Sequence, residues 1–333
     1  MPRIGLMLSD VPASVPVHQQ FSDLLRYAEA AQRNGFSHIA LGQHFLYGDL
    51  RWLQPVPVLA RLAAEVDPEV RLVTNIVIGT FYHPVILAEE LATLDVVTEG
   101  RLIVGLGAGY RPEEFGFLGL PTAGRGARLD EAIDLMKRLW TEDRVDHEGR
   151  FYRLEGGTPH IRPWQQPHMP LWIGGHSEAG ARRAGRRGDG LLIPPGATRD
   201  EIADRIRVMR EERESAGRTF TTTPLRRNVR IEASRDEAVA AYARVAGDRY
   251  RTYARRGLDV YGSHDDLVAD FAGMVEGHAV LGSADDVVAE LNGLAEAFPV
   301  DPIIVRCGWP SMTADETIEQ MELMGRRVIP ALS

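Results

Sequence analysis

Short apolar runs alternate with stretches of helical periodicity along this chain, and the alternation recurs eight times. The apolar runs fall at residues 1–8, 37–41, 71–78, 101–106, 170–173, 190–193, 226–231 and 303–305. Most are largely apolar at successive positions, the pattern of strands buried on both faces of a parallel sheet, while 226–231 also carries Arg226, Arg227, Asn228 and Arg230. Between the first two, Phe21, Leu24, Leu25 and Ala28 recur at i, i+3, i+4 and i+7, which predicts a helix ending near Asn34-Gly35. Further helices are predicted over 58–66, 84–97 and 178–187. Another carries Leu129, Ala132, Ile133, Met136, Leu139 and Trp140 on one face and starts near Gly126. Thr198 and Glu201 have the spacing of a capping box, and runs beginning at Ser234, Ser283 and Thr313 open three more helices.

Eight strands separated by helices favour an α/β fold of the (β/α)8 barrel class over a doubly wound open sheet. Such barrels take about 250 residues and tolerate insertions. The 333 residues leave room for two, at about 141–169 and 253–282. The first contains a small hairpin around 151–154 and a proline-rich loop over 159–170. The second is punctuated by Gly257, Gly262, Gly273, Gly277 and Gly282, an excursion near the barrel mouth suited to a lid. No linker and no repeat of 20–50 residues divides the chain, so one domain over 1–333 is expected.

Composition excludes several chemistries. Lys and Arg number 38 against 47 Asp and Glu, a formal charge of −9, so the basic footprint of a nucleic-acid surface is missing. One cysteine, Cys307, excludes an internal disulfide, a cysteine-rich zinc site and an iron–sulfur cluster. The single lysine, Lys137, follows Met136 rather than Gly, which argues against a P-loop and leaves Schiff-base chemistry one candidate. No His-Glu-x-x-His or Gly-x-Ser-x-Gly occurs, so neither a metal centre nor a serine hydrolase is expected. No apolar run is long enough to span a membrane, and the first, broken by Asp10 and Pro12, is too short for a signal-peptide core. A cytoplasmic protein is expected.

Barrel chemistry collects where strands end. Those positions hold Gly42-Gln43-His44-Phe45, Gly107-Ala108-Gly109-Tyr110, Gly174-Gly175-His176-Ser177 and Arg306-Cys307-Gly308-Trp309. Gly105-x-Gly107-x-Gly109 lacks the third-glycine spacing and immediate helix of a dinucleotide fingerprint. Its glycines either admit a flat ligand or serve turns. Gly174 to Ser177 either offers backbone N–H groups to an anion at a helix N-terminus or places Ser177 as an ordinary N-cap. His44 is either structural or an acid–base group. His83-Pro84 marks a loop-to-helix junction.

In order and spacing, a longer set of residues resembles the bacterial luciferase-like flavin monooxygenase superfamily over nearly the whole chain. The set comprises Gly42-Gln43-His44-Phe45, Thr74-Asn75-Ile76-Val77, His83-Pro84-Val85 with Ala92-Thr93-Leu94-Asp95, and Gly100-Arg101. It continues through Gly105 to Tyr110, Glu114-Phe115, Gly119, Ile173 to Ser177, Gly188-Asp189-Gly190 and Leu281-Gly282-Ser283. The resemblance implies a flavin at the C-terminal mouth, either reduced FMN used with O2 or a 5-deazaflavin hydride carrier. It implies a strand bulge with a non-prolyl cis peptide at Asn75-Ile76 against the ring, and Gly107, Ala108 and Tyr110 beside it. The flavin phosphate would sit by Gly174, Gly175, His176 and Ser177, and His44 would match the luciferase histidine at the reactive edge.

Two departures stand out. Gly107 replaces a cysteine of the luciferase pattern and Ala108 a phosphate-binding arginine. Light emission is not implied, and more room over the ring is expected. The resulting expectation is a two-component monooxygenase that oxygenates a small organic substrate through a flavin C4a-hydroperoxide. A separate NAD(P)H:flavin reductase and a homodimer accompany it. The alternative is a deazaflavin-dependent hydride-transfer oxidoreductase, and outside the enzymes a non-catalytic flavin-binding barrel.

Overall fold

Eight strands alternate with helices in the expected α/β order of a (β/α)8 chain. They are β1 Ile4–Leu8, β2 His38–Leu41, β3 Arg71–Ile78, β4 Leu102–Gly107, β5 Leu171–Gly174, β6 Gly190–Leu192, β7 Thr223–Ile231 and β8 Val300–Arg306. The structure is a computed structural model that describes residues 1–8, 10–255, 271–275 and 277–333. β7 and β8 begin three residues before their expected starts at 226 and 303, because Thr223 pairs with Val300 ahead of the Leu225–Ile303 register. Backbone pairing there runs past Pro224 and Asp301-Pro302, which interrupt the apolar pattern.

The chain divides into two compact units. One comprises Met1–Ile39, Ile193–Arg207 and Thr221–Ser333. In it β8 lies between β1 and β7, with Ile4 opposite Ile303 and Asn228 opposite Arg306, all parallel. All five residues of β1 are buried, as a strand covered on both faces requires. The helices Ala284–Ala297 and Ala314–Leu323 open with complete capping boxes, Ser283 with Asp286 and Thr313 with Glu316. Thr198 and Glu201 exchange the same reciprocal bonds at the start of Arg199–Ser215. Part of the expected excursion over 253–282 is regular. The helix Arg235–Arg255 reaches into it, Phe271–Val275 is helical, and Val280–Gly282 pairs with β7. Residues 256–270 and 276, on which a lid would depend, lie outside the described residues.

The other unit comprises Ala40–Leu192 and Val208–Phe220. Its parallel strands run in the order β3, β4, β5, β6. The helix expected over 58–66 instead spans Pro55–Leu62, with Pro55 pre-setting the first turn. His83 is the N-cap of Pro84–Val97 and accepts a hydrogen bond from the Val85 amide. A short helix, Pro112–Phe117, was not expected; Pro112 and the acidic first turn of Glu113 and Glu114 account for it. The first insertion does form a hairpin, Val145–Glu148 against Arg153–Gly157. Glu131, on the helix Arg125–Thr141, latches it by accepting from His147 Nε2 and the amides of Arg150, Phe151 and Tyr152. Burial works to raise the Glu131 pKa, but the His147 contact and those amides outweigh it, and the carboxyl is held below its usual range. Among the described residues no helix is long and apolar enough to cross a membrane.

Candidate active site

At the end of β3 the register against β4 shifts between Thr74 and Val77, and the Asn75-Ile76 peptide is cis. The bulge pushes Thr74 toward β4. A Cβ on Gly105 would lie 2.2 Å from the Thr74 carbonyl oxygen. The Thr74 hydroxyl takes over the broken ladder, donating to the Gly105 carbonyl at 3.0 Å and accepting from its amide at 2.9 Å. Ile76 then lies over three glycines. A Cβ on Gly107 would stand 1.9 Å from Ile76 Cδ1, and one on Gly174 3.1 Å from Ile76 Cγ2. Gly105 would meet the same Cγ2 at 3.2 Å. The glycines of β4 therefore accommodate the chain's own bulge, an alternative to both expected readings. The room expected at Gly107 is taken by Ile76, which corrects that expectation. Beside it Asn75 is buried, and neither polar atom of its amide has a hydrogen-bond partner among the described residues. A buried amide with an unmet donor and acceptor suits a ligand edge that offers both.

A second grouping surrounds His44. The Glu114 carboxylate is fully buried and accepts through Oε1 from His44 Nδ1 at 3.0 Å and from the Phe45 amide at 2.8 Å. Its Oε2 has no hydrogen-bond partner among the described residues, and Arg111 Nη1 stands 3.7 Å from Oε1. The Arg111 guanidinium lies 3.9 Å from the Tyr47 ring centroid. Rings of Tyr47 and Trp52 come within 4.8 Å of the His44 ring, and Tyr110 within 5.8 Å. Gln43 ties this segment to β3. Its Nε2 donates to Gln54 and to the Tyr82 hydroxyl at 2.6 Å, and its Oε1 accepts from the Ile78 amide. Burial pushes the Tyr82 phenol up, against the lowering effect of Gln43, so it stays neutral.

A carboxylate receiving Nδ1–H fixes the histidine tautomer and leaves Nε2 to take a proton. Sequence reasoning reached His44 and Tyr110 but gave Glu114, Arg111, Tyr47 and Trp52 no role. Glu114 is 70 residues from His44; Glu114-Phe115 was part of the family resemblance, but nothing in the sequence pointed to a pairing with His44.

The loop after β5 settles part of its own question. Ser177 is the N-cap of Glu178–Arg187, and its hydroxyl accepts from the Gly180 amide at 3.4 Å. A Cβ on Gly175 would stand 2.9 Å from Gly180 Cα, so close approach of loop and helix requires glycine there. Capping uses the hydroxyl as an acceptor and leaves its proton for an anion. Ala108 contributes its carbonyl to the Thr80 hydroxyl at 3.0 Å. Among the described residues no group of His, Cys, Asp or Glu could hold a metal ion.

A family model described as luciferase-like monooxygenase matches residues 1–300. An F420-dependent glucose-6-phosphate dehydrogenase of Intrasporangium calvum is 34% identical over 192 residues, 55% of this chain and 57% of that protein. Its counterpart from Amycolatopsis mediterranei is 30% identical over 229 residues, covering 66% and 67%. The chain thus spans little more than half the length of the first relative. Among solved structures, monooxygenase RslO1 from Streptomyces bottropensis superposes with a TM-score of 0.86 at 29% identity, over 98% of this chain and 99% of that one. An F420-dependent secondary alcohol dehydrogenase in complex with an F420-acetone adduct shares the fold, with a TM-score of 0.79 at 21% identity over 100% and 99%.

Proposed function

The chain belongs to the luciferase-like monooxygenase family, oxidoreductases of the α/β (β/α)8 class, and from that premise we propose that it oxidises an alcohol with a 5-deazaflavin. The observation that carries the proposal is the buried Glu114 carboxylate on His44 Nδ1. Oxidation of an alcohol needs a base for the hydroxyl proton while hydride leaves the carbon. His44 Nε2 supplies that base. When bound, a deazaflavin offers a ring carbon that accepts the hydride. Tyr47, Trp52 and Tyr110 wall the histidine with rings that limit water around it. Asn75, with its unmet amide, would hold the polar edge of the cofactor, Ile76, backed by Gly107 and Gly174, would bear its ring with Ala108 nearby in sequence, and Gly175, His176 and Ser177 would hold its phosphate.

This reading takes the alternative expected from the sequence over the O2-using one. The relatives named above are F420-dependent dehydrogenases, and the space expected for oxygen at Gly107 is filled. The likeness to a monooxygenase along nearly the entire chain favours a second reading, reduced FMN with O2 and a separate reductase. Anaerobic incubation with oxidised F420 and a panel of alcohols that includes glucose 6-phosphate separates the two. Loss of the deazaflavin absorbance is expected. Oxygen uptake with reduced FMN, and none of that loss, would establish the second reading instead.

A further inference from the structure

Arg111 has no part in the chemistry above, yet it contacts two of the residues that hold His44. Its Nη1 stands 3.7 Å from Glu114 Oε1, the oxygen that accepts from His44 Nδ1. Its guanidinium lies 3.9 Å from the centroid of the Tyr47 ring, which is in turn 4.8 Å from that of His44. The side chain is buried, and among the described residues neither Nε nor Nη1 makes a hydrogen bond. Glu113 stands 3.8 Å from Nε, but it is half-exposed and water screens it. A buried cation set against a ring face and a buried carboxylate, with no bond donated to either, acts through its charge.

The stand-off from Glu114 has a chemical use. A bidentate bond from the guanidinium would occupy the lone pairs of the carboxylate. At 3.7 Å the charge is felt while Oε1 stays with His44 Nδ1 and the Phe45 amide. A cation this close favours the ionised form of Glu114, which keeps the carboxylate an acceptor for Nδ1–H. The same cation opposes a second positive charge on the imidazole. A buried carboxylate alone would do the reverse, since an opposite charge within about 4–6 Å can move a titration by about 1–3 pH units. It would hold the ring protonated, and a ring that already carries the Nε2 proton cannot take one from an alcohol.

We propose that Arg111 is a positioning residue that offsets the Glu114 charge and keeps His44 neutral, with Nε2 open to a proton. This role rests on the reading of His44 as the base. Among the described residues, the titratable and charged groups around the imidazole are Glu114 and Arg111, with Glu113 beyond Arg111, and the phenols of Tyr47 and Tyr110. Phenols ordinarily titrate near pH ~10, so near neutrality the carboxylate and the guanidinium decide the charge on the ring.

The test reads His44 directly, in the full chain without flavin or alcohol. With isotopically labelled histidine, the His44 ring signal is identified by its absence in His44→Gln and titrated by NMR. Arg111→Met and Arg111→Gln both remove the charge, one keeping an apolar stem and the other a polar end, so misfolding of one leaves the other to decide. Each should raise the His44 midpoint by about one pH unit. Arg111→Lys keeps the charge without the flat guanidinium and should restore most of the parent value. The acid limb of the turnover profile should move the same way. A midpoint that stays or falls in a folded neutral variant, or a Lys variant displaced as far as the Met variant, would overturn the role. A raised midpoint in a chain that never reduces a deazaflavin would support the role of Arg111 and sink the proposed reaction alone.

Discussion

Two buried carboxylates, Glu114 on the helix Pro112–Phe117 and Asp10 just past β1, have opposite surroundings. Asp10 sits against Arg306 in a charge-assisted bond of 2.8 Å, with both side chains almost fully buried and the guanidinium also bonded to Gly308. Glu114 faces a histidine and leaves Oε2 without a hydrogen-bond partner among the described residues, while Arg111 stands off at 3.7 Å from Glu114 and 3.8 Å from Glu113, with no hydrogen bond from its Nε or Nη1. A satisfied pair holds a loop in place. An unsatisfied one retains capacity to respond when a ligand or proton arrives, and such residual capacity belongs to sites rather than to scaffolding. Burial and charge alone therefore do not mark a site; what is left over does.

The largest effect should separate the two pairs by readout. His44→Ala should lower turnover about 10²–10⁴-fold, the usual worth of positioned proton transfer. Glu114 would keep the Phe45 amide and the nearby guanidinium, so the fold should hold. Turnover at the parent rate would make His44 a structural residue and erase the contrast. Asp10→Ala should do the reverse. Removing one partner of a buried ion pair costs about 3–5 kcal/mol, which chemical denaturation would register directly. A loss under about 1 kcal/mol would show that the Asp10 pair is not scaffolding either.

A smaller effect tests the trough beneath Ile76. Gly107→Ala places a methyl 1.9 Å from Ile76 Cδ1, and overpacking of this kind costs about 1–3 kcal/mol. Ile76→Val deletes that δ carbon. In a double-mutant cycle the second change should recover most of the first loss, a coupling that contacting residues show and distant ones do not. Simple additivity in stability would mean that Gly107 is glycine for a reason other than Ile76.

These contrasts also explain what could be read in advance. Most of the strands were legible because they bury both faces and so are largely apolar, β7 with its Arg226, Arg227, Asn228 and Arg230 standing apart, and the capping boxes because they are local. The starts of β7 and β8 were not, since Thr223 and Val300 are held by pairing with each other rather than by their own pattern. His44 stood at a recognisable strand end, but its partner lies 70 residues away on a helix whose six residues are too few for a periodic signal. The glycines of β4 were visible as glycines. Their reason, a neighbouring strand that bulges toward them, exists only once the sheet has formed.

The smallest expected change in stability lies at Ser177, where capping and anion binding share one hydroxyl. Ser177→Ala would confound them, because losing an N-cap costs about 0.5–2 kcal/mol by itself. Ser177→Gly is cleaner, since glycine caps within a few tenths of a kcal/mol of serine. If the hydroxyl proton meets a phosphate, the glycine variant should leave unfolding nearly unchanged. It should also weaken a phosphorylated deazaflavin by about tenfold to a hundredfold, the loss of one bond to a charged group. The same chromophore without its phosphate should bind both proteins alike. Parallel losses for the two ligands would place the phosphate away from this helix and leave Ser177 as a cap, on the same footing as Ser283 and Thr313 in the other unit.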